Sequence, residues 1–400
     1  RLKRAGADAQ RMASMKTIQQ QFSVPFSYPV HFTHAAFALT NDVLTSVLVP
    51  PLDGVPARVM AVIDHGVVAA HPQILKQMDA YFAHVAARIT LVAPPVIVQG
   101  GEQAKNGWTG VRDLMTRMGA LHLDRQSYVV AIGGGCVLDM AGFAASLVHR
   151  GVRFIRMPST VLAQCDAGVG VKNGMNEGGA KNFVGTFAPP YAVINDLDLL
   201  TTLAPVDWAG GLAEAFKVAI IADAVFFARL CTLAPALAQR DQAAMEEVVC
   251  QTAALHLHHI ATSGDPFELG SARPLDFGHW AAHRLELMSQ FTLGHGPAVA
   301  IGIALDSTYA CLQGLITEVQ CAAILRGLAQ CGLPTWSPLL QRRTAEGTLE
   351  ILLGLEQFRE HLGGVLNVTL PASIGAKIEV HEMDTACVER ACAQLQPKET

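Results

Sequence analysis

Two histidines four residues apart, His279 and His283, lie in the stretch LDFGHWAAH, residues 275–283. Four residues make about one turn of an α-helix, so both imidazoles could face one metal ion. Spacing alone therefore predicts that these two side chains are zinc ligands. An acid, Asp276, stands three residues before the first histidine, and its presence needs a separate explanation.

Other stretches also offer metal ligands. Glu214 and Lys217 are three residues apart in GGLAEAFKVAI, which places them on one face of a predicted helix. His295 stands where another predicted helix begins, in TLGHGPAVAIG. The histidine-rich range 256–259 is a weaker metal candidate, because the solvated face of a helix explains it at least as well.

A glycine triplet follows a strand-like run in YVVAIGGGCVLDM, residues 128–140. Glycines at this point let the backbone approach a pyrophosphate, which the free N–H groups of the following helix can bind. Asp139 would lie one turn into that helix. The spacing is not the G-x-G-x-x-G fingerprint, so a plain glycine turn stays open as an alternative.

Three charged residues follow other predicted strands. Asp64 ends one strand and could hold a ribose hydroxyl, while Glu102 and Lys105 follow another. Each alone is more often a solvated loop charge. Together at the carboxyl ends of parallel strands they favour a dinucleotide.

The range 166–187 is rich in glycine and carries two lysines, Lys172 and Lys181, together with Asp166 and Asn182. A flexible loop with two cations and several free N–H groups suits a phosphorylated substrate. An ordinary surface loop is the alternative.

The composition narrows the class of protein. The chain has 400 residues, of which 51% are hydrophobic and 16% charged, with a net charge of −5. That length suits two domains, and the charge predicts no binding to nucleic acid or to an anionic membrane. Apolar runs end before the ~20 residues of a membrane span. The nine scattered cysteines predict free thiols in a reducing cytoplasm.

Two halves of the chain differ in their predicted elements. Strands and helices alternate first, and Ala/Leu-rich helices follow from about residue 206. We therefore predict an α/β domain with a Rossmann-like parallel sheet, then a mostly α-helical domain, with a cleft between them. The predicted strands are 58–64, 88–100, 127–135, 152–158 and 191–196; the predicted helices are 71–87, 107–121, 207–223, 241–262, 276–290 and 297–313. The predicted divisions are an N-terminal extension at 1–25, expected to be a disordered tail, an NAD-binding domain at 26–205 and a metal- and substrate-binding domain at 206–400.

Six stretches, in order, resemble the sugar phosphate cyclases, the family that includes 3-dehydroquinate synthase. The resemblance covers roughly residues 58–380. The stretches are GGGCVLDMAGFAAS, HRGVRFIRMPSTVLAQCDAGVGVKNG, AKNFVGTF, GLAEAFK, FGHWAAH and GHGPAVAIG.

The resemblance implies a role for each candidate residue. The resemblance replaces the pair of zinc ligands predicted from spacing, because it implies that His283 faces the substrate and is not a metal ligand. Arg150 matches an arginine that reaches into the neighbouring subunit's site, which implies a homodimer. The implied ligands of Zn²⁺ or Co²⁺ are Glu214, His279 and His295. The implied NAD-binding residues are Asp64, Glu102, Lys105, Gly134, Gly135, Asp139, Ser159, Thr160 and Lys181. The implied active-site residues are Asp166, Lys172, Lys181, Asn182 and Lys217.

The reaction implied by the family needs these residue types. A sugar phosphate is oxidised at one carbinol, loses phosphate, is reduced again and closes by an internal aldol step to a carbocycle. NAD is used and regenerated, and lysines orient the phosphate.

Asp276 stands where 3-dehydroquinate synthase normally has asparagine. Basic residues that 3-dehydroquinate synthase has around this position are replaced in this sequence. Ala272 replaces an arginine, although Arg273 is adjacent; His258 replaces a lysine; and FREHLGG at 358–364 replaces a lysine pair. Each lost charge-assisted hydrogen bond is worth about 1.5–3 kcal/mol. We therefore expect a substrate without a carboxylate, similar to sedoheptulose 7-phosphate. A 3-dehydroquinate synthase in which Arg273 replaces the arginine is the runner-up.

Two other classes of protein compete with the cyclase. Metal-dependent polyol dehydrogenases have a similar plan but do not need Lys172 and Lys181. A non-catalytic NAD-binding scaffold would have no use for the metal ligands.

Overall fold

The computed structural model describes residues 17–178, 180–267, 274–361 and 364–397. Several parts of the sequence predictions lie outside these residues: positions 1–16 of the N-terminal extension, Gly179 of the glycine-rich range, the range 268–273 with Ala272 and Arg273, the range 362–363 of the FREHLGG motif and positions 398–400.

A seven-stranded parallel sheet lies in the first half of the chain. Its strands are β1 (Val30–Thr33), β2 (Ala57–Asp64), β3 (Ile89–Leu91), β4 (Val96–Val98), β5 (Tyr128–Gly133), β6 (Arg153–Pro158) and β9 (Ala192–Asp196). Their order is β1-β9-β6-β5-β2-β3, with β4 also paired to β2. Every residue of the central strand β5 is buried, as expected for a hydrophobic strand covered by helices on both faces. The Rossmann-like sheet is confirmed.

The predicted strand 88–100 is wrong as one element, because it divides into β3 and β4 around Pro94 and Pro95. Proline has no N–H for the ladder, so both strands stop beside the pair. The edge strand β1, which pairs with β9, has no counterpart in the predictions.

Helices cover the sheet and then form the second half of the chain. The helices α7 and α11 are buried along almost their whole length, which their all-round hydrophobic sequences require. Among the described residues, no helix is both long and apolar enough to cross a membrane. The helices are α1 (Val43–Val47), α2 (His65–Ala70), α3 (Ile74–His84), α4 (Thr109–Ala120), α5 (Gly135–Leu147), α6 (Pro205–Gly210), α7 (Leu212–Ala222), α8 (Ala224–Ala238), α9 (Gln242–Thr262), α10 (His279–Met288), α11 (His295–Leu312), α12 (Glu318–Gln330), α13 (Leu353–His361) and α14 (Thr385–Leu395).

The glycine-rich range 166–187 is not a loop, and that prediction is wrong. It contains an antiparallel hairpin of β7 (Lys172–Glu177) and β8 (Ala180–Phe187), in which Lys172 pairs with Phe187. Its glycines permit close strand contact: a Cβ on Gly185 would lie 2.5 Å from the carbonyl oxygen of Asn173. A second hairpin, β10 (Val368–Ser373) with β11 (Ala376–Val380), lies in the half that is predicted to be mostly α-helical, where no strand is predicted.

Candidate active site

The predicted cofactor residues meet at the carboxyl edge of the sheet. Asp64 ends β2 and accepts a hydrogen bond from the Gly66 N–H at 2.8 Å. A Cβ on Gly100 would lie 2.2 Å from this carboxylate, so only glycine fits there. Gly134 and Gly135 begin α5 directly after β5, and Ser159 and Thr160 follow β6. These features leave bare backbone and a helix N-terminus at the edge, which suits a pyrophosphate.

A buried ion pair joins this edge to the β7–β8 hairpin. Lys105 is 5% exposed, and its Nζ lies 2.6 Å from Asp139 Oδ2 and also contacts Asn182 Oδ1. Burial would lower the pKa of Lys105, but the charge of Asp139 raises it. This cation is therefore held in its charged form between a predicted cofactor residue and a predicted active-site residue.

Three side chains converge on a metal-sized space between helices. Glu214 is fully buried on α7, and its Oε1 lies 3.8 Å from His279 Nε2 and 3.7 Å from His295 Nε2. Ligand atoms of all three residues lie within 4.8 Å of one another, and Oε1 has no hydrogen-bond partner among the described residues. Two imidazoles and one carboxylate of this kind suit Zn²⁺ or Co²⁺.

The other nitrogen of each imidazole is already engaged. His279 Nδ1 lies 3.2 Å from the Phe277 carbonyl oxygen, and His295 Nδ1 lies 3.3 Å from Glu286 Oε2. With Nδ1–H donating to these acceptors, each ring leaves its Nε2 lone pair toward Glu214. Burial lowers the pKa of His279 well below its usual range, and nearby Lys217 lowers it further; a neutral imidazole is the form that binds a metal.

The pair predicted from spacing, His279 with His283, is wrong as a ligand set. Their rings stand nearly perpendicular, with centroids 5.5 Å apart. No metal-sized group among the described residues contains both. Helical spacing puts two residues on one face but does not aim their nitrogens at one point.

Lys217 lies behind the three converging side chains and is 1% exposed. Its Nζ contacts Glu214 Oε2 and lies 4.0 Å from Asp166 Oδ2. Burial would lower the pKa of Lys217, but Asp166 and Glu214 raise it. For Asp166, burial would raise the pKa, but the charges of Lys217 and His256 hold it well below its ordinary value. Lys217 and Asp166 are therefore a charged pair at neutral pH.

His256 lies inside the site and not on a solvated helix face, so that interpretation of the range 256–259 is wrong for this residue. It is 9% exposed, and its Nδ1 lies 2.8 Å from Asp166 Oδ1. His258, two residues further along α9, is exposed.

A cavity of about 800 Å³ opens at the sheet edge, and Lys181 in its lining connects it through Glu286 to His295. The loop after β4, the turn of the β7–β8 hairpin and Phe291 line it, and Glu102 and Lys181 project into the same region. This volume is in the range of small-molecule sites.

Two family models match consecutive parts of the chain: "3-dehydroquinate synthase N-terminal" over residues 95–209 and "3-dehydroquinate synthase C-terminal" over residues 211–354. The chain belongs to the 3-dehydroquinate synthase family. A 3-dehydroquinate synthase of Rhodopseudomonas palustris is 33% identical over 301 residues, which cover 74% of this chain and 78% of the relative. A 2-epi-5-epi-valiolone synthase of Actinoplanes sp. is 31% identical over 399 residues, covering 98% and 94%.

A solved relative extends the family likeness to the whole fold. It is a 2-epi-5-epi-valiolone synthase from Streptomyces hygroscopicus subsp. jinggangensis 5008 with NAD+ and Zn2+ bound. It matches with a TM-score of 0.83 and 28% identity, and the match covers 94% of this chain and 99% of the relative.

Two residues implied by the family likeness are exposed. Arg150 is exposed and precedes β6, at the amino edge of the sheet, opposite the site. Its φ of 65° and that of His149, 52°, fall in the left-handed region. Lys172 is an exposed residue at the start of β7. Asp276 is half-buried in a short 3₁₀ helix (Pro274–Asp276) that leads into His279.

The structure adds Glu286 to the site, a residue that no sequence argument selected. It lies three residues after His283 on α10 and is 3% exposed. A histidine, a second histidine four residues on and a glutamate three beyond that share one helix face, so the pattern HWAAHRLE could have indicated it.

Proposed function

We propose that this protein is a sugar phosphate cyclase, a carbon–oxygen lyase acting on phosphates, that uses NAD and a divalent metal. The observation that carries the proposal is the buried, unpartnered Oε1 of Glu214 facing two imidazole nitrogens. The site lies beside a sheet edge suited to a dinucleotide. The likeness to a valiolone synthase that binds NAD+ and Zn2+ supports the same cofactors here.

The chain's own residues divide the work of binding. Glu214, His279 and His295 would hold the metal, and the glycine turn before α5 would hold the pyrophosphate, with Asp64 at a ribose. When bound, NAD+ would accept and return a hydride, and the metal would polarise the oxygen of the oxidised carbinol.

The charged residues would orient the substrate. Lys172 and Lys181 would hold the phosphate, because ammonium groups are strong partners for it, and Lys181 would also contact NAD, as the family likeness implies. The cationic Lys217 is suited to stabilise an oxyanion, because its raised pKa keeps it from acting as a base. Asp166, held by His256, remains an acceptor for a hydroxyl. His283 and Asn182 complete the proposed substrate contacts.

We propose that the substrate is a seven-carbon sugar phosphate without a carboxylate, similar to sedoheptulose 7-phosphate. Asp276 contributes to the raised pKa of Lys217, so its negative charge acts at the active site. A carboxylate placed there would be repelled, whereas a hydroxyl would donate a hydrogen bond. His258, which replaces a lysine of 3-dehydroquinate synthase, is exposed and supplies no buried cation at that position.

We propose that the chain acts as a homodimer in the cytoplasm, with domains at 26–205 and 206–400. Arg150 cannot complete the site of its own chain from the opposite sheet edge, so a partner's site is its proposed destination. All nine cysteines are free thiols, which suits a reducing compartment. Sedimentation equilibrium showing an active species near 42.6 kDa, the mass of one chain, would contradict the dimer.

The test of the cyclase proposal follows two products in one reaction. Purified protein with NAD⁺, Co²⁺ and sedoheptulose 7-phosphate should release phosphate without accumulating NADH, because the hydride returns to the substrate. Metal removal by a chelator and the substitution Glu214→Gln should each abolish release, and Co²⁺ should restore it only in the chelated wild type. NADH accumulation with a simple polyol would favour a dehydrogenase. A protein that binds NAD but no metal, and that releases no phosphate, would favour the non-catalytic scaffold.

A further inference from the structure

One carboxylate, that of Glu286, links the two halves of the site. Its Oε2 lies 3.3 Å from His295 Nδ1, and its Oε1 lies 2.8 Å from Lys181 Nζ. Both oxygens of this side chain, which is 3% exposed, are therefore engaged.

The orientation of His295 depends on this side chain. His279 donates to a backbone carbonyl, which no substitution removes, whereas His295 has Glu286 as its partner for Nδ1. A carboxylate at this position selects the tautomer whose Nε2 faces Glu214 and makes the imidazole a better ligand.

The position of Lys181 depends on the same group. Lys181 belongs to the β7–β8 hairpin, and its Nζ lies 3.6 Å from Glu102 and 5.0 Å from the Phe291 ring centroid. The ion pair with Glu286 is the shortest of these contacts, and it ties the hairpin to α10 beside the cavity.

We infer that Glu286 is a positioning residue that orients His295 for the metal and Lys181 for the cofactor, and thereby couples the two binding events. The inference rests on the proposed function, in which this site binds both. A metal on Nε2 would strengthen the Nδ1–H donation to Glu286 and so fix the carboxylate that holds Lys181. By linkage, NAD⁺ must then strengthen metal binding by the same factor.

The test measures binding, not turnover, in Glu286→Gln, Glu286→Ala and a matched control, Glu247→Gln. Glu247 forms an exposed ion pair with Arg229 and has no part in the proposed site. Dissociation constants for Co²⁺, from competition with a chelator, and for NAD⁺, from tryptophan fluorescence, are measured with and without the other ligand. Circular dichroism checks that each variant is folded.

We expect Glu286→Ala to bind Co²⁺ about 10–100-fold more weakly and to lose the coupling with NAD⁺. Glu286→Gln should lie between Glu286→Ala and wild type, and Glu247→Gln should match wild type. Unchanged constants in the Glu286 variants would overturn the inference alone. Two Co²⁺ ions per wild-type chain, one of them lost with Glu286, would make Glu286 a ligand with His283 and His295 and overturn it as well. A wild type that binds neither ligand would overturn the proposed function together with the inference.

Discussion

Buried carboxylates fix the positions of other groups in this site, and Asp306 is one of them. It is fully buried on α11 and accepts hydrogen bonds from Trp280 Nε1 at 2.8 Å and from the Gly278 N–H at 3.0 Å. These two donors flank His279 in the sequence, so Asp306 fixes the backbone that presents a proposed ligand. Burial raises its pKa to about 7, although the two hydrogen bonds lower it in part.

The raised pKa of Asp306 predicts a pH-dependent stability. Between the ordinary pKa, 3.8, and about 7, the folded protein binds more protons here than the unfolded chain. The contribution of Asp306 to the free energy of unfolding is therefore full below the ordinary pKa and is lost as the pH rises to about 7. In Asp306→Asn this loss should be absent.

Urea unfolding of the metal-free wild type and variant from about pH 5 to about pH 8 checks this. The unfolding free energy of the variant minus that of the wild type should increase with pH. A difference that stays constant or decreases would mean that Asp306 is already ionised in the folded protein at the lowest pH.

At the scale of residues, the sequence predicts which side chains carry chemistry better than it predicts their partners. Glu214, His279 and His295 can be selected by type and family likeness, and they do converge. The engagement of His295 by Glu286, and of Asp166 by His256, depends on contacts between helices that are distant in sequence. Periodicity within one helix contains no such information.

At the scale of elements, two glycines set the distance between the helices that carry His279 and His295. Gly278 precedes α10 with φ of 80°, and a Cβ on Gly302 of α11 would lie 2.0 Å from the Gly278 carbonyl oxygen. No side chain fits this contact without moving one helix.

Gly302→Ala should therefore destabilise the protein by about 1–3 kcal/mol, the usual effect of overpacking, and weaken Co²⁺ binding. The matched control is Gly119→Ala on α4, where a Cβ would meet nothing within 4 Å and helix propensity should give a gain of about 0.5–1 kcal/mol. Urea unfolding measures both changes. Equal effects of the two substitutions would contradict the close helix contact.

The elements that sequence patterns predict well are those with one dominant period. Buried β-branched runs such as β5 and long apolar helices such as α11 match their predicted ranges closely. The β7–β8 hairpin was not predictable in the same way, because its glycine content is also typical of loops. The β10–β11 hairpin is short, lies among helices and packs against α7 and α11, so its strands carry little signal of their own.

At the scale of the whole molecule, the two halves of the chain meet at the site, where Lys181 of the hairpin contacts Glu286 and Asp166 contacts Lys217 and His256. The sequence predicts a cleft here, since parallel sheets bind ligands at their carboxyl edge. The sequence does not show that a hairpin from the first half closes over it, because that depends on the position of the hairpin relative to α10.

The most direct test of the central claim is a comparison of phosphate release from two seven-carbon substrates. Wild-type protein with NAD⁺ and Zn²⁺ or Co²⁺ is given sedoheptulose 7-phosphate or the heptulosonate 7-phosphate, and mass spectrometry identifies each product. We predict faster release from sedoheptulose 7-phosphate, with a cyclic product that lacks phosphate, and a smaller preference in Asp276→Asn. Faster release from the heptulosonate 7-phosphate would make the protein a 3-dehydroquinate synthase and contradict the role assigned to Asp276.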